Sequence, residues 1–572
     1  MKLTTIALTA LVLALSGCTT VSQSGGTAAA PPAASDPASA ASYAPIDPAR
    51  LSDLTRQFAD DALQGRAPGT EGERRTIEWL SAQFAALGLE PAGENGGWTQ
   101  RVPLIRTQVR SPADFTVRSH GETLTLRSPA DVYLSTVRST ERARIEAAPM
   151  VFVGYGVSAP ERQWDDFKGV DLNGKVAVFL VNDPDFEAQA GDPVAGRFGG
   201  QAMTYYGRWA YKFEEAARRG AIAALVVHET EAAGYGWNTV EAPAGENYNV
   251  VLPADARQPV LLQGWIQWDA AADLLRRAGH DLAAVKRRAR TADFRPIDLG
   301  ATLSADLPVT VEPVESHNVV ARLPGATRPD EAILYGVHWD AYGIGPADAT
   351  GDRIRNGAHD DALGTAAMLE VARAFREGPP PDRTILFAAW TAEERGLLGS
   401  EYYAANPLHP IETTVANITL DTLQSAGPAR DVILIGDGQS EMEDLLARMA
   451  ASQGRVVTPD SHPERGLFYR ADHFSLAKRG VPVLLLMALG GGADLVEGGR
   501  EAGDAWVSAF TDQCYHQPCD DWSADWDLRG AAQDGSLAYR IGRELAFSDM
   551  WPQWRAGSEF RAVRERSADR RR

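Results

Sequence analysis

The chain has 572 residues, of which 44% are hydrophobic and 23% charged, and its formal net charge is -20. The length exceeds what one ordinary core buries, so we expect about two to four domains, and the composition is typical of a globular protein rather than a disordered or membrane-spanning one. The negative charge argues against nucleic acid as a partner, because binding phosphates requires a basic face.

The first segment has the features of an export signal. Lys2 is positively charged, Ile6 to Leu15 form an apolar stretch too short to span a bilayer, and Leu15-Ser16-Gly17-Cys18 resembles a bacterial lipoprotein signal cleaved before Cys18. The alternative is a plain secretory signal cleaved slightly later. We therefore expect a signal peptide over 1–17 and a lipid on Cys18 as the only membrane attachment. The protein would be exported to the bacterial cell envelope, on the outer membrane facing the periplasm.

A linker is expected next, because Thr19 to Asp47 is rich in Ser, Ala, Gly and Pro and almost uncharged. This composition predicts a flexible tether over 18–47. The mature domain then opens with a predicted amphipathic helix that Gly88 ends. Its apolar residues at helical spacing are Ile77, Leu80, Phe84 and Leu87. The turn-rich stretch Gly65 to Thr70 before it either connects elements or lies near the site.

The pattern changes near Ala147. Four apolar runs bounded by turn residues predict strands, and one helix lies between the second and third. The strands are Met150 to Val157, Lys175 to Asn182, Ala221 to Val227 and Val260 to Trp268, and the helix is Trp209 to Arg219. Since no run here pairs a His with closely spaced acids, we expect 145–300 to be an inserted domain without catalytic residues.

Strands and helices alternate after the insertion, which indicates an α/β fold with a mostly parallel central sheet and helices on both faces. The predicted elements are strands at Asn318 to Leu323, Ala332 to Val337, Thr384 to Trp390, Asn417 to Leu420 and Val481 to Met487, and a helix at Ala366 to Phe375. The main domain would comprise 48–144 and 301–556. The arginine-rich segment 557–572 is expected to be a solvated basic tail.

Acidic and imidazole side chains follow three of these strands directly. His338 follows one strand, Glu393 and Glu394 follow the next, and Asp421 follows the third. Ligands in open α/β sheets collect beyond the carboxyl ends of the strands, so these residues should meet at one edge. Each pattern alone is weak, since a lone His-x-Asp is usually structural. Asp421 is harder to dismiss, because a buried carboxylate needs a partner or a metal.

The residue types suit two adjacent divalent metals. Two ions about 3.5–4 Å apart activate a bridging water and polarise a carbonyl group, and a carboxylate usually bridges them. Asp360, in a tight segment that includes Asp361 and leads into a helix, suits that role. Of Glu393 and Glu394, one would bind metal and the other would act as general base. Asp340 would accept the second N–H of the His338 imidazole.

The cysteines fit an exported protein. Cys514 and Cys519 lie five residues apart in a loop-like stretch, where oxidation is expected. A local disulfide there would brace the loop that carries Tyr515 and His516. The alternative is that both thiolates bind zinc, although the other ligands already suffice.

Together these residues resemble the co-catalytic zinc peptidases, which include the bacterial leucyl aminopeptidases and glutamate carboxypeptidase II. The motifs are Gly336 to Asp340, Asp360 to Gly364, Glu393 to Ser400, Asp421 and Tyr515 to Pro518, and Tyr155 onward resembles the protease-associated (PA) domain of many members. The resemblance implies two Zn²⁺, with Asp360 bridging, Glu394 and His516 completing one site, and His338 and Asp421 the other. It also implies Glu393 as general base and Asp340 as support for His338. Leu363 departs from the usual Ser.

The expected function is that of a zinc exopeptidase acting on peptide N-termini. A carboxypeptidase would need a cation to bind the substrate carboxylate, for which Arg470 is a candidate, although an ion pair with Asp472 is the simpler interpretation. A glutaminyl cyclase, which uses one zinc on the same fold, and a non-catalytic surface lipoprotein are two further hypotheses. Asp472 and His473 are expected either in the pocket wall or in a structural role.

Overall fold

The computed structural model describes residues 46–110 and 113–571. The predicted signal peptide, Cys18 and the tether up to Pro45 lie outside these residues. The end of the tether was placed too late, since Ile46 is buried and the Asp47 carboxylate accepts a hydrogen bond from the Ala49 N–H at 2.9 Å. Among the described residues, no helix combines the length and apolar character needed to cross a membrane.

Fourteen α-helices occur in the described residues. They are α1 Pro48–Phe58, α2 Glu71–Ala86, α3 Trp209–Arg218, α4 Thr230–Ala233, α5 Trp237–Glu241, α6 Trp268–Arg277, α7 Leu282–Ala289, α8 Leu363–Glu377, α9 Leu398–Ala405, α10 Met442–Ser452, α11 His473–Ala477, α12 Gly499–Ala509, α13 Arg529–Phe547 and α14 Arg561–Glu565.

The strands of the described residues are β1 Glu90–Pro91, β2 Thr99–Val109, β3 Ala113–Ser119, β4 Glu122–Ser128, β5 Val132–Ser135, β6 Arg142–Phe152, β7 Ser158–Ala159, β8 Trp164–Asp165, β9 Val176–Leu180, β10 Ala223–His228, β11 Glu246–Val250, β12 Leu262–Gln267, β13 Ile297–Leu323, β14 Arg328–His338, β15 Gly343–Ile344, β16 Ile354–Arg355, β17 Arg383–Trp390, β18 Thr414–Leu420, β19 Asp431–Leu434, β20 Val456–Pro459 and β21 Val483–Leu486.

The sheet that carries the predicted site has the order β21-β18-β14-β17-β13. The first four strands are mutually parallel, as predicted, whereas β13 is antiparallel to β17 and to β2. Helices cover both faces, as predicted. On one face, the Tyr335 hydroxyl donates a hydrogen bond to the carbonyl of Ala538 in α13, and its ring packs on Phe375 in α8. On the other face, Trp390 packs on Tyr403 in α9. All strand residues from 383 to 390 are buried, which explains their continuous apolar run.

A second group of strands forms the inserted unit, but its limits differ from 145–300. Strands β6, β9, β10 and β12 are parallel neighbours, and β5, β3 and β4 extend the group. Phe115, Val117 and Leu126 from β3 and β4 share its core, so this unit begins before residue 145. Conversely, β11 leaves it and pairs with β2 of the first sheet. The sequence analysis did not predict these limits, because the alternating pattern of a strand does not indicate which other strands it pairs with.

The 27-residue strand β13 links the two groups of strands. Its N-terminal part pairs with β6 and β3, and its C-terminal part pairs with β2 and then β17. The described residues fall within one compact unit, in agreement with this continuous ladder. The identification of the inserted unit as a PA domain stays a prediction.

The structure differs from the sequence-based predictions at both ends of the fold. The first helix is α1 rather than α2, with Pro48 at its first turn and Leu51 and Phe58 buried. The C-terminal segment is not a solvated tail throughout. Phe560 and Arg564 are each 2% exposed, and the Arg564 guanidinium donates to the carbonyls of Thr414 and Val415 at 3.0 and 3.3 Å. A buried guanidinium that satisfies backbone carbonyls holds this segment to the start of β18.

Candidate active site

The predicted site residues meet at the carboxyl ends of parallel strands. His338 is the last residue of β14, and Asp421 follows β18 directly. Glu393 and Glu394 lie in the turn after β17, which ends at Trp390 beside His338 in the strand register. The sheet edge therefore brings together residues more than 80 positions apart in the chain, as the strand pattern predicted.

The five predicted ligands form two groups that share Asp360. One group contains His338, Asp360 and Asp421 and the other contains Asp360, Glu394 and His516, and in each the potential ligand atoms lie within 4.8 Å of one another. Nε2 of His338 lies 3.0 Å from Oδ1 of Asp360, and Nε2 of His516 lies 3.2 Å from its Oδ2. One carboxylate thus directs an oxygen to each group, as a bridging ligand does.

The chemistry of the donors fits divalent zinc. Each group offers one imidazole and two carboxylates, and zinc accepts both ligand types. Nε2 of His516 is buried and has no hydrogen-bond partner among the described residues, although carboxylate oxygens of Asp360 and Glu394 lie 3.2 and 3.1 Å away. At His516, ligand atoms that converge without hydrogen-bond geometry fit an ion at their centre.

Burial of the carboxylates points in the same direction. Burial raises the pKa of Asp421 to about 6 and that of Glu393 well above its ordinary value, although His338 opposes both shifts. Buried carboxylates that must stay ionised need nearby positive charge. Two divalent cations would supply this charge.

The second member of the Asp-Asp pair has a structural task. Oδ2 of Asp361 accepts from the His338 backbone N–H at 3.3 Å, and its Oδ1 accepts from the N–H groups of Thr422 and Gly364 at 3.3 and 3.1 Å. Asp361 therefore ties the ends of β14 and β18 to the start of α8. Leu363, where the family usually has Ser, is the first residue of α8. The residue before it, Ala362, occupies the N-cap position and makes no side-chain capping hydrogen bond.

Asp340 supports the site differently from the prediction. Nδ1 of His338 contacts the backbone carbonyl of Asp340 at 3.0 Å, while the nearest Asp340 carboxylate oxygen lies 3.8 Å away. The carboxylate instead accepts from the N–H groups of Glu393 and Glu394 at 2.9 and 3.4 Å. The Asp340 carboxylate therefore holds the turn that carries these two glutamates. It can reach this turn because β14, which precedes Asp340, and β17, which precedes the turn, are neighbouring strands.

Asp520 is a supporting residue that the sequence analysis missed. Its carboxylate contacts the His359 ring at 2.9 Å and accepts from the backbone N–H groups of His359 and Asp360 at 2.9 and 3.2 Å. The other ring nitrogen of His359 lies 2.8 Å from the Ser425 hydroxyl. Asp520 thus fixes the backbone of the shared ligand. Its position one residue after Cys519 was the available signal.

The ligand loop is closed by a disulfide, as expected. Cys514 and Cys519 are paired, with their Cα atoms 5.1 Å apart. The loop between them presents His516, whose ring packs on Tyr342 with a centroid distance of 4.6 Å. The thiolate alternative is thereby excluded in this structure, because both sulfurs are bonded to each other.

The turn-rich stretch before α2 lies near the site. Arg66 is fully buried, and its guanidinium donates to the backbone carbonyls of Trp339, Asn356 and Gly357 at 2.7, 2.5 and 3.0 Å. It joins the segment after His338 to the segment before Asp360. Gly65 has a φ of 64°, and a side chain there would meet the carbonyl of Arg355 at 2.6 Å.

Arg470, Asp472 and His473, the remaining predicted residues, differ in their exposure to solvent. Arg470 is exposed, whereas Asp472 is buried, and the structure describes no ion pair between them. Oδ1 of Asp472 and both ring nitrogens of His473 are buried without hydrogen-bond partners in the described residues. Both side chains belong to the packed interior beside the site rather than to either ligand group.

Two cavities lie around the site. The lining of the smaller includes the ligands Asp360, Glu394 and His516. The larger is lined mostly by apolar residues, including Met487 and Trp506. The ring of Trp506 packs 5.6 Å from that of His359, the residue before Asp360, so the larger cavity adjoins the ligand segment.

The α/β sheet and the two ligand groups define a candidate binuclear metal protein. Within that class, residues 318–539 match the model of "Peptidase family M28". The match contains every predicted ligand and confirms the resemblance to the co-catalytic zinc peptidases.

The chain is also similar to individual known proteins. The chain is similar to leupeptin-inactivating enzyme 1 of Streptomyces exfoliatus, with 28% identity over 230 residues, covering 39% of this chain and 48% of the relative. It is similar to aminopeptidase Y of Saccharomyces cerevisiae, with 27% identity over 225 residues, covering 38% and 37%. The chain therefore spans less than half of the length of these curated relatives. The solved aminopeptidase from Aneurinibacillus sp. strain AM-1 has a TM-score of 0.47 and 20% identity over 88% of this chain and 94% of that chain.

Proposed function

We propose that the protein is a zinc-dependent exopeptidase that removes the N-terminal residue of peptides, with two Zn²⁺ per subunit. The observation that carries the proposal is that two ligand groups share Asp360 and lie beside Glu393, a carboxylate in neither group. Glutaminyl cyclase uses one zinc, and the presence of two complete ligand groups favours the peptidase.

Each residue has a separate task in this proposal. His338 and Asp421 would hold one metal, Glu394 and His516 the other, and Asp360 both. The pair of ions would supply an activated water and polarise the scissile carbonyl. Glu393, buried and with a raised pKa, would take the proton from the attacking water and deliver it to the leaving amine. Asp340 would hold Glu393 in place through its backbone N–H.

The preference for an N-terminal residue is supported by the names of the relatives, among them aminopeptidase Y and the aminopeptidase NAALADL1 of Mus musculus, which is 35% identical over 133 residues. We further propose that the larger cavity takes the side chain of the cleaved residue. Its wall is largely apolar, and its charged residues are paired: Arg455 and Asp534 form an ion pair at 2.7 Å, and Asp431 pairs with Arg500. Apolar N-terminal residues should therefore be preferred.

A carboxypeptidase remains the second candidate, because Arg470 is exposed and lacks the expected ion pair.

We also propose, from the sequence, that the mature chain carries a lipid on Cys18, is exported to the cell envelope and contains a PA domain. Labelling with a fatty acid in cells, with Cys18→Ser as the control, tests the lipid.

The experiment combines metal analysis with hydrolysis of leucyl-4-nitroanilide. We expect about two zinc ions per chain, activity that a chelator abolishes and zinc restores, and loss of activity in Glu393→Gln with zinc retained. Full activity in Glu393→Gln, or activity without metal, would overturn the mechanism. Cleavage of an acetylated peptide but not of its amidated counterpart would identify a carboxypeptidase instead.

A further inference from the structure

The hairpin formed by β15 and β16 carries an arginine that the proposed mechanism does not use. Arg355 ends β16 and lines the smaller cavity together with the ligands Asp360, Glu394 and His516. Nη1 of Arg355 is buried and has no hydrogen-bond partner in the part of the chain that the structure describes. A buried guanidinium N–H without an acceptor is costly, so a missing partner is expected to come from outside the chain.

The backbone around Arg355 is held by neighbouring segments, and Gly345 leaves space for its guanidinium. The carbonyl of Arg355 lies against Gly65, and Arg66 holds the two following carbonyls, those of Asn356 and Gly357. A Cβ atom on Gly345 would meet Nη1 of Arg355 at 2.1 Å, so the absence of a side chain at Gly345 makes room for the guanidinium. The guanidinium therefore lies at the cavity in the absence of a substrate.

The charge identifies the kind of group that Arg355 binds. A guanidinium pairs best with a carboxylate, through two parallel hydrogen bonds. The free amino group of a peptide is a cation, so it cannot be the group that faces Arg355. A carboxylate on the far side of the scissile bond satisfies both conditions.

We propose that Arg355 binds a carboxylate on the leaving part of the substrate, an inference that rests on the proposed exopeptidase function. Two sources offer this group: the C-terminus of a dipeptide, and an acidic side chain directly after the scissile bond. In both, Arg355 selects the residue that leaves, whereas the larger cavity selects the residue that is removed.

Four substrates separate the sources: Leu-Gly, Leu-Gly-amide, Leu-Glu-amide and Leu-Gln-amide. We expect the zinc enzyme to prefer at least one carboxylate substrate over its neutral counterpart, and Arg355→Gln to lower kcat/KM for that substrate by about 10- to 100-fold, as for loss of a charged hydrogen bond. The neutral amides should change by less than about 2-fold. An effect on Leu-Gly alone identifies the C-terminus, and an effect on Leu-Glu-amide alone identifies the side chain.

Arg353 provides the matched control. It lies in the same hairpin, is exposed, and donates from Nε to the carbonyl of Gly345 at 3.0 Å. Arg353→Gln removes the same charge and should leave the substrate ratios unchanged. Arg355→Lys keeps the charge without the bidentate geometry, so it should retain part of the preference.

Binding without turnover separates this proposal from the proposed function. In zinc-loaded Glu393→Gln, calorimetry should show that Arg355→Gln weakens binding of the preferred carboxylate substrate about 10-fold or more, while its neutral counterpart is unaffected. A protein that hydrolyses no substrate but shows this difference would overturn the exopeptidase function and keep the site. An enzyme without carboxylate preference, or an Arg355→Gln variant that loses all four substrates equally, would overturn the site.

Discussion

The carboxylate of Asp340 accepts a hydrogen bond at 2.9 Å from the backbone N–H of Glu393. The side chain at the end of one strand therefore positions the proposed base at the end of its neighbour, while its own backbone carbonyl contacts the ring of His338. One residue thus positions a metal ligand and a base through two different groups.

Replacing Asp340 by Asn should separate these two effects. The backbone contact to His338 remains, but the amide –NH₂ cannot accept from both backbone N–H groups of the glutamate turn. We expect kcat to fall about 10- to 100-fold, as is typical when a supporting hydrogen bond is lost. Zinc content should stay near wild type, measured by elemental analysis. Loss of zinc in step with activity would show that Asp340 acts mainly on the ligand.

Asp520 should control metal affinity rather than the proton-transfer step. Asp520→Asn leaves the N–H groups of His359 and Asp360 with fewer acceptors and frees the backbone of the shared ligand. We expect zinc affinity to fall about 10- to 100-fold, measured by competition with a chromogenic chelator. Asp521→Asn removes a charge at the adjacent exposed position and should change affinity by less than about 2-fold. Equal losses in the two variants would argue against a specific role for Asp520.

The disulfide should matter most for the metal group that contains His516. In the chain-entropy model, the short loop closed by Cys514 and Cys519 stabilises the folded state by about 2 kcal/mol. We expect the double variant Cys514→Ser/Cys519→Ser to lose one zinc ion on dialysis before the other. If the variant instead kept both zinc ions on dialysis and lost them at the same chelator concentration as the wild type, this role of the disulfide would be contradicted.

The strand-end positions of His338, Glu393 and Asp421 followed from the sequence because each residue comes directly after an apolar run. The roles of Asp340 and Asp520 did not, since each depends on which backbone N–H groups approach a carboxylate in three dimensions. The limits of the inserted unit were missed for a related reason. Strands β3 and β11 have similar alternating patterns but join different sheets, and only the long-range pairing of β13 and β2 decides this.

Glu73 and His317 should make the stability of the fold depend on pH. The Glu73 carboxylate accepts from the Ser316 hydroxyl at 2.9 Å and lies 3.1 Å from Nδ1 of His317. This hydrogen bond raises the pKa of His317 above its ordinary value of 6.5, although burial opposes the shift. Because the folded-state pKa is the higher one, the stabilisation is fully present below pH 6.5 and is lost as pH rises through the folded-state pKa. The stability difference between wild type and His317→Gln, measured by urea unfolding, should be larger at about pH 5.5 than at about pH 8.5. A difference independent of pH would exclude the charged pair.

The C-terminal segment should stabilise the sheet that carries Asp421. Arg564→Ala leaves the carbonyls of Thr414 and Val415 without their buried donor at the start of β18. We expect a loss of about 1–3 kcal/mol in the free energy of unfolding, measured by urea denaturation. Arg566→Ala removes the same side chain from an exposed position two residues later and should cost less than about 0.5 kcal/mol. If both variants were equally stable, the contact between this segment and β18 would contribute nothing to folding, and residues after 557 would act as the solvated tail that their composition suggests.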